Sequence, residues 1–151
     1  MALDDDIRVL SGVGLFEGFT REQLRLMAFG AESMTLGAGR DIYGEGATAD
    51  CAFIIASGSV TLYTERDEQR QVIERLGPGA ILGELALITE GRRMTSAMTE
   101  TETRLIRLSR STFHRILEEF PETAMHLHKR IAANLQAMIA RMERVASRLI
   151  E

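Results

Sequence analysis

The chain carries a single cysteine, so no intrachain disulfide is available to it, and the setting of Cys51 in CAFII reads as a buried strand position rather than a reactive thiol. No apolar run approaches the ~18 residues of a membrane span. The N-terminus, MALDDDIRVL, is acidic and lacks the basic n-region of a secretory signal, so a cytoplasmic protein with no membrane partner is expected. Positive charge is not in excess: 18 Lys and Arg stand against 22 Asp and Glu, a formal charge of −4 that offers no general attraction to nucleic acid or anionic lipid. Histidines are three, His114, His126 and His128, and the last two fall on different faces of a regular helix, a poor metal pair. HExxH, GxSxG and P-loop lysine motifs are missing. Neither a metal site nor enzyme activity is expected.

What is present is an ordinary globular composition, 45% hydrophobic and 26% charged over 151 residues. A chain of that length buries about two-thirds of its unfolded surface, and one domain spanning 1–151 is expected. Residues 1–32 read as helices interrupted around SGVGLFEGF. Thr20 and Gln23 make a capping box, Leu24, Met27 and Ala28 an inner face, and Gly30 a stop. Between 33 and 109 the texture changes to short runs, SMTL, DIY, CAFIIAS, SVTLYT, QVIERL, TSAM and TRLIRL, with ASGSV and ERDEQR as tight turns. Close punctuation of this kind predicts an antiparallel barrel or roll. Helical texture returns over 110–151, where Pro121 suits the first position of a new helix and no proline or glycine follows it.

Within that last helix Ile131, Leu135, Met138, Met142, Val145 and Leu149 follow heptad spacing, flanked by Arg141, Glu143, Arg144 and Arg148. The first turns are expected to pack on the chain's own domain. A seam that runs to the last residues points to a partner helix, hence to a homodimer.

The segment GELALITEGRR, residues 83–93, combines a glycine, a carboxylate and two adjacent arginines. A helix beginning near Glu84 would turn free amides around Gly83 to Ala86 toward an anion, and Gly83 would allow close approach. An arginine folded back over that helix start adds a bidentate phosphate contact. Glu84 would repel a phosphate, so its natural target is a neighbouring hydroxyl. A phosphate beside a sugar hydroxyl describes a nucleotide. The competing reading is that Glu84 complements a helix dipole while Arg92 and Arg93 are solvated loop charges; on the residues alone, both stand.

GELALITEGRRMTSA resembles the phosphate-binding cassette of the cyclic-nucleotide-binding domain, the family of bacterial catabolite activator proteins and of the regulatory subunits of cyclic-AMP-dependent protein kinase. The similarity extends through LFEGFT, IYGEGATADCAFIIASGSVTLY and LSRSTFHRILEEFPE. It implies an α+β fold, a jelly-roll-like antiparallel β-roll of about eight strands flanked by N-terminal helices and a long C-terminal helix. It further implies a cassette over 83–96 with Gly83, Glu84, Leu85, Ala86, Arg93, Met94 and Thr95 as ligand residues. Glu84 would accept the ribose 2′-hydroxyl, Arg93 would bind the cyclic phosphate, and the amides near Leu85, Ala86 and Met94 would complete its shell.

Two positions depart from the family pattern: Arg92 stands where proline is usual, which leaves the choice between the two arginines open, and Met94 replaces a small or hydroxyl-bearing residue. Met138 and Ile139 fall where the activators place polar residues against adenine, which makes Met138 a base cap by apolar contact. By the same alignment the chain stops where a DNA-binding helix-turn-helix domain would begin. The resemblance therefore implies a stand-alone regulatory module for cyclic AMP, or cyclic GMP, acting on an unknown downstream protein. The alternative is a dimerising scaffold of the same fold that binds no nucleotide.

Overall fold

The computed structural model describes the backbone of residues 2–150 and the side chains of residues 3–146. Helix α1 (Ala2–Ser11) leads through a 3-10 turn at Gly14–Phe16 to α2 (Arg21–Gly30). The capping box forms as expected: the Thr20 hydroxyl accepts from the Gln23 amide at 3.2 Å and the Gln23 side chain accepts from the Thr20 amide at 2.9 Å. Leu24, Met27 and Ala28 are buried on the inner face.

Ten strands follow, all paired antiparallel. They are β1 (Glu32–Leu36), β2 (Asp41–Tyr43), β3 (Thr48–Ala49), β4 (Cys51–Ser57) and β5 (Val60–Arg66), then β6 (Gln69–Leu76), β7 (Ile81–Leu82), β8 (Gly91–Arg92), β9 (Ser96–Thr99) and β10 (Thr103–Ser109). They form two four-stranded sheets, β1-β10-β4-β7 and β2-β9-β5-β6, and the separate pair β3-β8, a roll rather than a closed barrel. Each of the seven β-like runs becomes a strand. The three extra strands are two-residue pairings, too short to show alternation in sequence.

The uninterrupted burial of CAFII follows from this arrangement. Ala52 and Ile54 face a core shared with the helices, whereas Cys51, Phe53 and Ile55 face a second core inside the roll. Successive strand side chains point to opposite faces, and here both faces are covered. The β5-β6 hairpin closes through Asp67 and Glu68, both at positive φ (54° and 65°), the geometry of a two-residue primed turn.

Helix α3 (Arg110–Glu118) is capped by the Ser109 hydroxyl, and Pro121 opens α4 (Pro121–Ile150), about 45 Å long. Gln23 donates to the Thr123 hydroxyl at 3.3 Å, and the Arg130 guanidinium donates to the carbonyls of Leu15, at 3.0 Å, and Glu17. The N-terminal segment is thereby tied to α4. Leu127 and Ile131 are fully buried in the helical core, and Met138 packs against the core of the roll. The predicted seam is thus divided: its first half is occupied within the chain, Met142 and Val145 are half-buried, and the Leu149 side chain lies outside the described residues. An ion pair at 3.1 Å between Arg141 and Glu74 fixes α4 against β6.

The β4-β5 connection is the most sterically confined turn in the roll. At Gly58 (φ +97°) a Cβ would lie 2.5 Å from the Glu102 carbonyl oxygen and 2.7 Å from the Thr103 Cα. Gly58→Ala should therefore destabilise the fold by about 2 kcal/mol or more, read as a lower urea midpoint at unchanged slope.

Candidate functional site

Gly83 leaves β7 in the left-handed region (φ +69°) and opens a single 3-10 turn over Glu84–Leu87. This corrects the expected helix start. One turn carries little macrodipole, and the Ala86 amide already donates to the Gly83 carbonyl at 3.1 Å, so anion attraction has to come mainly from a side chain.

That side chain is selected by the β3-β8 pair. Arg92 pairs with Thr48 and Gly91 with Ala49; the ladder continues through bonds from the Arg93 amide to the Ala47 carbonyl (2.8 Å) and from the Gly46 amide to the Arg93 carbonyl (2.9 Å). On an extended chain adjacent residues face opposite ways. Arg92 is consequently exposed, donating to the Gly46 carbonyl at 2.9 Å, while Arg93 is turned inward and only 7% exposed. The two arginines left undecided by sequence are separated by strand parity.

Arg93 is buried without a carboxylate. None of the ion pairs among the described residues involves it, and its Nε and Nη1 atoms are buried with no hydrogen-bond partner. Its Nη2 donates to the Cys51 sulfur at 3.4 Å, a weak acceptor. Nη1 lies so close to Gly83 that a Cβ there would sit 2.2 Å away, which is why that position has no side chain.

The arginine and the turn frame a cleft. Gly83, Glu84, Leu85 and Ala86 line one side, Arg93, Met94 and Thr95 another, and α4 covers it with Ile131, Asn134, Leu135 and Met138. Every residue the sequence proposed for the site therefore meets in one cavity. Ile139, paired with Met138 in the alignment to the activators, is turned away and 39% exposed.

Tyr43, Asn134 and Arg110 were not anticipated. Tyr43 forms part of the cleft wall, and burial pushes its phenol up to about 12. Asn134 faces Glu84, whose carboxyl is raised by burial and partly restored by its own backbone, by Asn134 and by the Arg141 guanidinium. Arg110 donates to the carbonyls of Thr89 (3.0 Å), Ala49 (3.2 Å) and Ala86 (3.4 Å), tying the cassette loop to α3. Contacts to main-chain carbonyls leave no sequence signature at the acceptor, so Arg110 had no readable partner. His114 pairs with Glu118 on the surface, His126 and His128 are exposed, and no group of three potential metal ligands occurs among the described residues.

The profile of the cyclic nucleotide-binding domain matches residues 33–120, more than half of the chain, and the chain belongs to this family. It is 30% identical over 138 residues to the cyclic AMP receptor protein of Thermus thermophilus, covering 91% of this chain and 60% of that protein. The chain thus spans less than two-thirds of that relative's length. A cyclic nucleotide-binding-like protein from Brucella abortus has 60% identity and a TM-score of 0.70, covering 76% of this chain and 99% of the other. The regulatory domain of Toxoplasma gondii PKA, solved with cAMP, matches at 25% identity and a TM-score of 0.71, over 76% of this chain and 44% of that one.

Because burial raises the Glu84 pKa above its ordinary 4.5, ionisation of this carboxyl opposes folding. The penalty is absent below about pH 4.5, where folded and unfolded chains both hold the proton, grows as pH rises through the raised value, and is complete above it. Glu84→Gln should melt at a higher temperature than the natural protein near about pH 7.5, and the difference should shrink toward zero by about pH 4.5.

Proposed function

We propose that the cleft binds a cyclic purine nucleotide, with cyclic AMP preferred to cyclic GMP, and that the chain is a single cytoplasmic regulatory module. The observation that carries this reading is Arg93, a buried cation whose Nε and Nη1 have no partner and which lines a cleft. An orphaned buried charge costs several kcal/mol unless something pairs with it, and a cyclic phosphate offers the missing acceptors. Glu84 then accepts the ribose 2′-hydroxyl, and the amides of Leu85 and Met94 serve the phosphate. Relatives named for cyclic AMP in Thermus and solved with it in Toxoplasma support the ligand class.

For the base, Ile131, Leu135 and Met138 present apolar surface from α4, and Met94 supplies no hydroxyl for guanine. Thioether side chains pack adaptably against aromatic rings, which favours adenine held by contact. Since α4 both covers the base and carries the proposed dimer seam, ligand affinity and helix position are coupled, a route from nucleotide to an unidentified downstream protein.

Arg93→Ala should weaken cyclic AMP binding tens- to thousands-fold, matching the ~2–5 kcal/mol for truncating one side of a desolvated charge pair, while Arg92→Ala binds nearly as the natural protein does. Calorimetric titration with cyclic AMP and cyclic GMP measures both. Tighter cyclic GMP would overturn the base assignment, and no binding of either would leave the dimerising scaffold.

The homodimer proposal rests on Met142 and Val145 beyond the cleft, and on Ile139, 39% exposed beside them. Sedimentation should show a dimer that Met142→Glu with Val145→Glu converts to a folded monomer.

A further inference from the structure

We infer that Tyr43 is a positioning residue for the site: its ring holds the Arg93 guanidinium by the face and so leaves the edge donors Nε and Nη1 uncommitted. The inference rests on the reading of Arg93 as the phosphate-binding residue. The Arg93 Cζ lies 4.3 Å from the centroid of Tyr43 and 5.9 Å from that of Phe53. The two ring centroids are 6.1 Å apart with 29° between planes, so Phe53 flanks the guanidinium beside Tyr43. Gly83 closes on the guanidinium at Nη1.

A buried arginine has to be held by something. A carboxylate would hold it through its N–H edges, the atoms a phosphate needs, and ligand would then have to displace an ion pair. An aromatic face attracts the cation electrostatically without accepting an N–H. The phenol, pushed up to about 12, stays neutral at physiological pH and brings no counter-charge. Only Nη2 is engaged, by the Cys51 sulfur. Tyr43 comes from β2, paired to Ala97 of β9, whereas Arg93 directly follows β8 of the separate β3-β8 pair, so the ring and the arginine are brought together from two different pairings. The result is a cation oriented before ligand arrives, which lowers the ordering cost of binding.

The test compares Tyr43→Phe, which keeps the face, with Tyr43→Leu, which removes it; Tyr43→Ile replaces the latter if it melts below the assay temperature. Cyclic AMP affinity should stay within about twofold for Phe and fall about five- to thirtyfold for Leu, the range of a desolvated cation–π contact. In free protein carrying 15N-labelled arginine, the Arg93 Nε–H proton should be shifted upfield by ring current in the natural protein and in Tyr43→Phe, and return to the ordinary position in Tyr43→Leu. General destabilisation would not move that resonance in this pattern. Equal affinities for Leu and Phe, or an Arg93 resonance unshifted in the natural protein, would overturn the positioning role while leaving the nucleotide reading intact. Failure of the natural protein to bind cyclic AMP would instead defeat that reading and this inference with it.

Discussion

A buried guanidinium without a counter-ion is the constraint around which the cassette is organised. Charge transferred out of water is costly unless paired, and here the pairing within the chain is deliberately weak: a sulfur on one nitrogen and an aromatic face beneath. Such an arrangement is tolerable only in a rigid frame. The frame comes from Gly83, which cannot carry a side chain beside Nη1, from the β3-β8 ladder that turns Arg93 inward, and from Arg110, whose three carbonyl contacts hold the loop between them.

Glu84 complements this from the other side of the cleft. It too is desolvated, and its neighbours Asn134 and Arg141 are on α4 rather than in the cassette. The carboxylate and the covering helix are therefore electrostatically linked, while Arg141 also pairs with Glu74 on β6. The same helix is anchored near its start by Leu127 and Ile131 in the helical core and by Arg130 on the carbonyls of the N-terminal 3-10 turn. One end of α4 is fixed and its middle forms the roof of the site. Beyond the roof the apolar stripe is less covered, with Met142 and Val145 only half-buried.

Much of the architecture was legible. CAFIIAS and TRLIRL announced strands because β-branched and aromatic residues recur between turn residues, Thr20 and Gln23 announced a helix start, and Pro121 announced another. Gly83, Glu84, Leu85, Ala86, Arg93, Met94, Thr95 and Met138 were placed together by resemblance, and they line one cleft. The misjudged parts were those in which short-range geometry has no pattern to read. A four-residue 3-10 turn looks like a helix start, and two-residue strands show no alternation.

By itself the sequence determined the longer elements, their order and the family, because periodicity, capping residues and turn glycines are local properties that each segment carries with it. Only the tertiary structure decided that Arg93 is turned inward and buried while Arg92 stays exposed, that Tyr43 packs on Arg93, and that Asn134 meets Glu84. Those outcomes depend on strand register and on where α4 crosses the roll. They bring together residues about fifty positions apart, Tyr43 with Arg93 and Glu84 with Asn134, whose proximity is created by packing and by no feature of either segment alone.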